Sequence, residues 1–215
     1  MRVSPTVLAA YAKIGTRLAT LRRRVDAILQ AIAEEQQAMY LSRIKSEESA
    51  FEKLLTGNYM RPFEEMEDLF GVTLVFRTVP VGEVRTRLEA ALAERFEIQE
   101  VRASRTRRPA EFIYDDLHYI LKLKDSPLLL DKELLKWRFE LQVKSSLQQG
   151  WSMATHDLSY KAKKESWRLS RVVAQTRAMV EAADTALGMA EGFLPASEDR
   201  PNEAIDVRAA IAEAI

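Results

Sequence analysis

The chain has 215 residues, and its 32 Lys and Arg residues balance its 32 Asp and Glu residues, so the formal net charge is zero. A neutral chain has no overall electrostatic attraction to nucleic acid or anionic lipid, so phosphate binding needs local clusters of basic residues. The absence of cysteine excludes disulfides, thiolate zinc sites and cysteine nucleophiles, and two histidines disfavour a histidine-rich metal centre. Carboxylates remain as metal ligands, and they prefer hard cations such as Mg²⁺.

The hydropathy of the chain is typical of a folded protein outside the membrane. Hydrophobic residues make up 47% of the sequence and charged residues 30%, which separates it from disordered chains. No apolar run approaches the roughly 20 residues that span a bilayer, and the first residues lack the apolar stretch of a signal peptide. We therefore expect a cytoplasmic protein with no membrane association.

The first predicted element is a long helix that begins at Pro5, with Ser4 as its N-cap. Its apolar residues recur at alternating steps of four and three: Val7, Tyr11, Ile14, Leu18, Leu21, Val25, Ile28 and Ile32. A second stripe with this spacing lies near the other end: Leu169, Val173, Thr176, Val180, Ala183, Leu187 and Ala190. The two helices could pair within one chain or in a homo-oligomer, because both arrangements bury the same stripe.

Between these helices, short segments bounded by turn-forming residues predict a sheet. The predicted strands are 39–46, 71–77, 97–103, 113–124 and 137–144, and the predicted helices are 47–55, 63–69, 81–94 and 145–164. We therefore expect an α+β fold with a mixed five-stranded sheet flanked by helices. The chain then divides into an N-terminal helix (1–38), a core (39–165), a C-terminal helix (166–192), and a linker with a short terminal helix (193–215).

Two carboxylates are candidates for metal chemistry. Glu140 shares one face of its predicted strand with Gln142 and Lys144, a row that could bind a metal and a phosphate. Asp68 precedes an apolar strand and could face Glu140 across the sheet to make a Mg²⁺ site. The alternatives are a strand with its outer face in water, and acidic residues that favour the first turns of a helix beginning at Pro62.

Basic and aromatic residues form three further groups. Basic residues that converge at a strand-to-helix junction suit a polyphosphate, although amphipathic surface segments commonly contain such residues. The first group is Arg43, Lys45, Ser49 and Lys53. A loop with three arginines precedes a tyrosine that could stack on a purine or be a half-buried strand residue; this group is Arg105, Arg107, Arg108, Tyr114 and His118. The third group lies on the helix after Lys144, where a structural histidine is the alternative: Trp151, His156, Tyr160 and Lys161.

The order and spacing of these groups over residues 40–161 resemble the synthetase domain of the RelA/SpoT family, especially its small single-domain alarmone synthetases. The resemblance implies a nucleotidyltransferase-like fold and assigns roles to the groups. Asp68 in EDLFGV would bind Mg²⁺, and Glu140 in ELQVKS would be the catalytic glutamate. The ATP phosphates would be bound by the early basic motif: Arg43, Lys45, Ser46, Ser49 and Lys53. Tyr114 in YDDLH would stack on the acceptor's guanine, with His118, Gln142, Lys144, Arg107 and Arg108 beside the acceptor and His156, Tyr160 and Lys161 in support.

The implied activity is Mg²⁺-dependent transfer of pyrophosphate from ATP to the 3′ hydroxyl of GDP or GTP, which releases AMP. Synthesis without hydrolysis is implied, because the family's hydrolase pattern of histidine and aspartate is absent. Thr73 stands where many members have an ATP-binding arginine, so Arg77 or the arginine loop would supply that contact. Lys144 replaces an arginine and cannot bind phosphate in a bidentate way.

Two alternatives to this activity stay open. Asp115 and Asp116 add negative charge near the acceptor site, so the acceptor could differ: a toxic relative that modifies adenine nucleotides or the 3′ end of tRNA is one alternative, and the arginine loop would suit tRNA. The other alternative is a decayed site in a nucleotide-binding or helical interaction module, which the heptad stripes and Thr73 favour.

Overall fold

A computed structural model of the protein describes residues 5–57, 59–103, 117–127 and 129–191. Its strands are β1 (Met39–Ile44), β2 (Phe70–Phe76), β3 (Phe96–Arg102), β4 (Leu117–Leu123) and β5 (Phe139–Ser145). Its α-helices are α1 (Pro5–Glu35), α2 (Glu47–Thr56), α3 (Pro62–Glu65), α4 (Gly82–Arg95), α5 (Ser146–Glu165) and α6 (Trp167–Glu191), and a 3-10 helix occupies Lys132–Lys136. The linker and terminal helix predicted for 193–215 lie outside the described residues.

The five strands form one mixed sheet in the order β1-β2-β5-β4-β3. Strands β2 and β5 are parallel, and the three other neighbouring pairs are antiparallel. The predicted α+β fold with a mixed five-stranded sheet is therefore confirmed. Because β2 and β5 are central and parallel, residues near the start of both strands lie at the same end of the sheet.

One face of the sheet carries the hydrophobic core. Phe70, Phe139 and Phe96 are fully buried there, with ring centroids 5.8 Å apart for the first and second and 5.4 Å apart for the second and third. Helix α4 is fastened to this face, because the Tyr119 hydroxyl donates to Glu89 Oε1 at 2.9 Å. Burying this apolar face commits the alternate residues of each strand to the opposite face.

The apolar stripe of α1 is buried against its own chain. Leu18, Leu21, Val25 and Ile32 are almost fully buried, and α1 contacts β1, β2, α2 and α4. The principal neighbour of α6 is α5, and Leu187 near its end is exposed. The apolar residues of α6 that stay exposed could serve a homo-oligomer, which remains a prediction.

The helix predicted over 63–69 is wrong in length, because α3 ends at Glu65. Met66 and Leu69 are both buried in the core, and the Lys45 backbone N–H donates to the Leu69 carbonyl at 2.9 Å. That bond extends the pairing of β1 with β2, so the chain has to leave the helix before it. The strand predicted over 39–46 is likewise shorter, because Ser46 is the N-cap of α2 and accepts from the Ser49 N–H.

Candidate active site

The face of the sheet opposite the core carries polar side chains in two rows across the strands. The register of the strand pairs aligns Arg43, Gly71, Glu140 and Ile120 in one row, and Leu41, Thr73, Gln142, His118 and Arg102 in the next. Residues paired across neighbouring strands have side chains on the same face. The pairing of distant segments therefore gathers basic, acidic and amide groups at the end of the sheet where β2 and β5 begin.

Asp68 lies between two lysines at this end of the sheet. Its Oδ2 accepts from Lys45 Nζ at 2.8 Å, and its Oδ1 lies 2.8 Å from Lys53 Nζ. The pairing of β1 with β2 brings Lys45, one residue after β1, next to Asp68, two residues before β2. The Tyr11 hydroxyl of α1 donates to the Lys45 carbonyl and holds this backbone.

Charge and burial act in opposite directions on Asp68. Burial by itself raises the pKa of this carboxyl group, but the ammonium groups of Lys45 and Lys53 outweigh it and hold the pKa of Asp68 below its ordinary value. Burial likewise lowers the pKa of Lys53, and the negative charge of Asp68 reverses the shift so that the pKa is raised. Asp68 and Lys53 are therefore both ionised at neutral pH.

One oxygen of Asp68 is paired by charge alone. Oδ1 is buried, and no donor in the described part of the chain is aligned for a hydrogen bond to it. The Lys53 ammonium lies close to Oδ1, but the contact is an ion pair without hydrogen-bond geometry. A buried oxygen without an aligned donor is costly, so Oδ1 depends on the positive charge of Lys53 for its stabilisation.

Glu140 is held by two side chains of the neighbouring row. His118 Nδ1 lies 3.0 Å from Glu140 Oε1, and the Gln142 amide donates to Oε2 at 2.8 Å. Burial raises the pKa of Glu140, but His118 and then Gln142 outweigh it, and the pKa is lowered. The charge of Asp68 opposes this lowering, so the two carboxylates interact electrostatically.

The space between these groups is open at Gly71, which is paired with both Arg43 and Glu140. A Cβ at Gly71 would have no heavy atom within 4 Å, so this part of the sheet is an uncovered floor between the basic and acidic groups. Gly71 is not among the residues predicted for the site. A glycine inside an otherwise apolar strand is the signal for it, because such positions often mark the close approach of a ligand or another backbone.

The carboxylates fit a metal that arrives with its substrate better than a metal bound by protein alone. Among the described residues, no group of three or more His, Asp or Glu side chains could enclose an ion. Mg²⁺ is usually bound through one or two carboxylates together with substrate phosphates and water. Asp68 and Glu140, with an open floor between them, match that mode.

Three more of the predicted phosphate-binding residues adjoin this cluster. Arg43 is exposed beside Gly71, and Ser46 and Ser49 occupy the first turn of α2, where their hydroxyl oxygens lie 3.0 Å apart. The backbone N–H groups of a helix N-terminus favour anions. The predicted basic motif therefore comes together at the strand-to-helix junction.

Two other predicted residues lie toward the opposite ends of their strands. Arg77 follows the last residue of β2 and is exposed. Lys144 is four residues beyond Glu140, about 13 Å along an extended strand, and is 7% exposed. Its Nζ lies 3.4 Å from the Ser152 hydroxyl of α5. The structure thus separates both side chains from Asp68, and the predicted polar face of β5 is covered by α5 at Lys144.

Several predicted residues cannot be placed in the site. Arg105, Arg107, Arg108, Tyr114, Asp115 and Asp116 lie outside the described residues. The backbone of α5 includes His156, Tyr160 and Lys161, but their side chains lie outside the description. The remaining residue of that group, Trp151, donates from Nε1 to the Thr176 hydroxyl at 3.1 Å and so joins α5 to α6.

This fold is that of the small alarmone synthetases. Small alarmone synthetase 1 from Bacillus subtilis, solved with its product pppGpp, matches with a TM-score of 0.71 and 15% identity over 87% of this chain and 100% of that chain. Small alarmone synthetase 2 from Bacillus subtilis gives 0.65 and 19% over 83% and 98%, respectively. A GTP pyrophosphokinase family protein from Streptococcus pneumoniae gives 0.62 and 16% over 86% and 93%.

The family follows from the sequence itself. The family model for the region found in RelA / SpoT proteins matches residues 42–165, more than half of the chain. The chain therefore belongs to the RelA/SpoT family, and the resemblance noted above is confirmed. A comparison with curated proteins finds no match. Family membership supports an enzyme that transfers pyrophosphate between nucleotides. No helix in the described ranges has the length and apolarity to cross a membrane.

Proposed function

We propose that the protein transfers pyrophosphate from ATP to the 3′ hydroxyl of a guanine nucleotide and releases AMP. The observation that carries this proposal is the juxtaposition of Asp68 and Glu140 with Lys45 and Lys53 around the open floor at Gly71. A polyphosphate needs positive charge along its length, and a Mg²⁺ ion needs carboxylates beside it. Both requirements are met at one end of one sheet.

In the proposed reaction, the ATP phosphates lie over Gly71. Arg43, Lys45 and Lys53 neutralise their charge, and the N-terminus of α2 adds backbone donors. Asp68 and Glu140 would hold Mg²⁺, which would offset the charge that develops on the transferring group. Phosphoryl transfer requires little covalent chemistry from a protein, so positioning and charge supply most of the rate acceleration.

The bond changes balance without a further reactant. The acceptor's 3′ oxygen attacks the β-phosphorus of ATP, the bond from this phosphorus to the oxygen bridging the α-phosphate breaks, and AMP leaves with that oxygen. Glu140 accepts the hydroxyl proton. The contacts from His118 and Gln142 keep Glu140 ionised and orient it, and its lowered pKa makes it a weak base, so the proton transfers late in the reaction.

The guanine nucleotide is the acceptor that family membership favours, and a protein of the same fold was solved with pppGpp. Lys144 is a departure, because a lysine that is buried beside Ser152 is poorly placed to bind an acceptor phosphate. Adenine nucleotides and the 3′ end of tRNA are the alternative acceptors. The zero net charge of the chain does not favour tRNA.

The test is to incubate the purified protein with ATP and Mg²⁺ and one acceptor at a time: GDP, GTP, an adenine nucleotide or tRNA. AMP is measured by chromatography and the second product by mass spectrometry. We expect AMP and a pyrophosphorylated guanine nucleotide, and a loss of both with Asp68→Asn and with Glu140→Gln. Glu133→Gln is the matched control, because Glu133 is an exposed carboxylate that pairs only with Lys136 in the described residues.

Each other outcome replaces the proposal. If AMP forms only with an adenine nucleotide or only with tRNA, that molecule is the acceptor in place of a guanine nucleotide. Calorimetric binding of ATP without AMP from any acceptor would make it a nucleotide-binding module with a decayed site. Unchanged AMP formation in both carboxylate variants would mean that the catalytic site lies elsewhere.

A further inference from the structure

We propose that Lys45 and Lys53 occupy the metal-binding carboxylate in the nucleotide-free protein and exchange it for phosphate when ATP binds, so that a divalent cation binds tightly only together with the nucleotide. This inference rests on the proposed function, because it concerns the same site. It assigns the two lysines a second role, which is to prevent metal binding to Asp68 before substrate arrives.

The contacts of Asp68 disfavour a metal ion in the nucleotide-free protein. Both carboxylate oxygens lie 2.8 Å from an ammonium nitrogen, Oδ2 from Lys45 and Oδ1 from Lys53. A divalent cation at Asp68 would therefore lie within a few ångströms of two positive charges in a site where the carboxylate is only 22% exposed. Repulsion at that distance is weakly screened by solvent, so the nucleotide-free site disfavours the metal.

Among the described residues, the site offers few further metal ligands that could offset this repulsion. Glu140 already accepts from His118 and Gln142, and the described residues hold no cluster of three metal-binding side chains. Two carboxylates, one of them neutralised by the lysines, offer too few ligands to replace the water molecules bound to Mg²⁺. Phosphate oxygens of ATP would supply both the missing metal ligands and new partners for the lysines.

The two lysines can move from Asp68 to a phosphate and stay paired with a negative charge. Lys53 is 37% exposed on the second turn of α2, and its flexible stem allows the ammonium to turn from Asp68 to a phosphate over Gly71. Lys45 is 16% exposed, and its backbone is held by Tyr11, so its movement is smaller. Lys53 is therefore the principal exchanging residue and Lys45 the secondary one.

The experiment measures metal and nucleotide binding separately. Mn²⁺ binding to the nucleotide-free protein is followed by electron paramagnetic resonance, and ATP binding in the absence of divalent metal is followed by calorimetry. We expect Lys53→Gln to raise the Mn²⁺ affinity by about fivefold, the equivalent of one ion pair, and to lower the ATP affinity. Lys45→Gln should likewise raise the Mn²⁺ affinity and lower the ATP affinity. A merely structural role would lower both affinities together.

Two controls locate the effect. Asp68→Asn added to Lys53→Gln should remove the gain in Mn²⁺ affinity, because the vacated carboxylate is its source. Lys132→Gln, which breaks an exposed ion pair with Asp125, should leave both affinities unchanged. Thermal unfolding of each variant identifies loss of fold, and the two lysine variants provide independent tests.

The exchange and the proposed function fail in different ways. If the wild-type protein forms AMP but neither lysine variant gains Mn²⁺ affinity, the exchange is wrong and the function stands. If the two affinities move in opposite directions but no acceptor yields AMP, the exchange holds as a property of the binding site and the proposed reaction is wrong.

Discussion

Replacing Asp68 by asparagine tests the electrostatic reasoning through stability, without reference to activity. The change keeps the size of the side chain and removes the charge that pairs with Lys45 and Lys53, both at 2.8 Å. Each partly buried pair contributes about 1 kcal/mol, the upper end of the range for exposed pairs. The loss of both, about 2 kcal/mol, lowers the midpoint of thermal unfolding by about 4–8 °C in a chain of this size.

The pH dependence gives the prediction its sign. The pKa of Asp68 is lowered in the folded protein, so its contribution to the free energy of unfolding is fully present above the unfolded pKa. That contribution is lost as the pH falls through the folded pKa. Wild-type protein should therefore be more stable than Asp68→Asn at neutral pH. The difference should vanish in acid, where Asp68 is protonated.

The measurement is thermal unfolding by circular dichroism at neutral pH and at a series of acid pH values, with metal removed. Asp125→Asn is the matched control, because Asp125 pairs with Lys132 while both side chains are more than half exposed, and its midpoint should not change measurably. Equal midpoints for wild type and Asp68→Asn at neutral pH would refute the assigned strength of the lysine pairs. A difference that persists in acid would show that the effect does not come from charge.

Three further predictions concern single contacts. His118→Gln should lower the rate of AMP formation by about 10- to 100-fold, because a hydrogen bond to ionised Glu140 contributes about 1.5–3 kcal/mol; an unchanged rate would exclude a positioning role. Trp151→Phe should lower the unfolding midpoint by about 2–4 °C, because the hydrogen bond to Thr176 contributes about 1 kcal/mol; calorimetry with no shift would contradict this. Ser145→Ala should cost about 2 kcal/mol in urea unfolding, because it removes both the N-cap of α5 and the hydrogen bond that the Ser145 hydroxyl donates to Asp184; an unaltered denaturation midpoint would count against both contacts.

The elements that local sequence determines were predictable. Short segments bounded by turn-forming residues located the strands, and alternation of apolar and polar residues supported the last two, because burial of one face of a strand imposes a period of two. The heptad spacing of α1 likewise predicted which residues are buried, including Leu18, Leu21 and Val25. It could not name their partner, since a stripe that packs on a sheet and a stripe that packs on another helix have the same spacing.

Local sequence was a poorer guide where two distant segments compete for one residue. The acidic run before β2 predicted a helix through residue 69, yet α3 ends at Glu65, because Leu69 pairs with Lys45 across strands. Lys144 has the sequence position of a polar surface residue and is nevertheless buried, because α5 folds back over that end of β5. Neither the early end of α3 nor the burial of Lys144 can be predicted from the neighbouring residues in the chain.

The candidate site divides in the same way. By itself, the sequence determined the inventory of the site: Asp68 before a strand, Glu140 within a strand, and Arg43, Lys45 and Lys53 at a strand-to-helix junction, in an order that marks the RelA/SpoT family. Only the tertiary structure decided which charges meet. It joined Asp68 to two lysines and Glu140 to His118, because strand pairing brings together residues far apart in the chain, and spacing along the chain carries no record of that pairing.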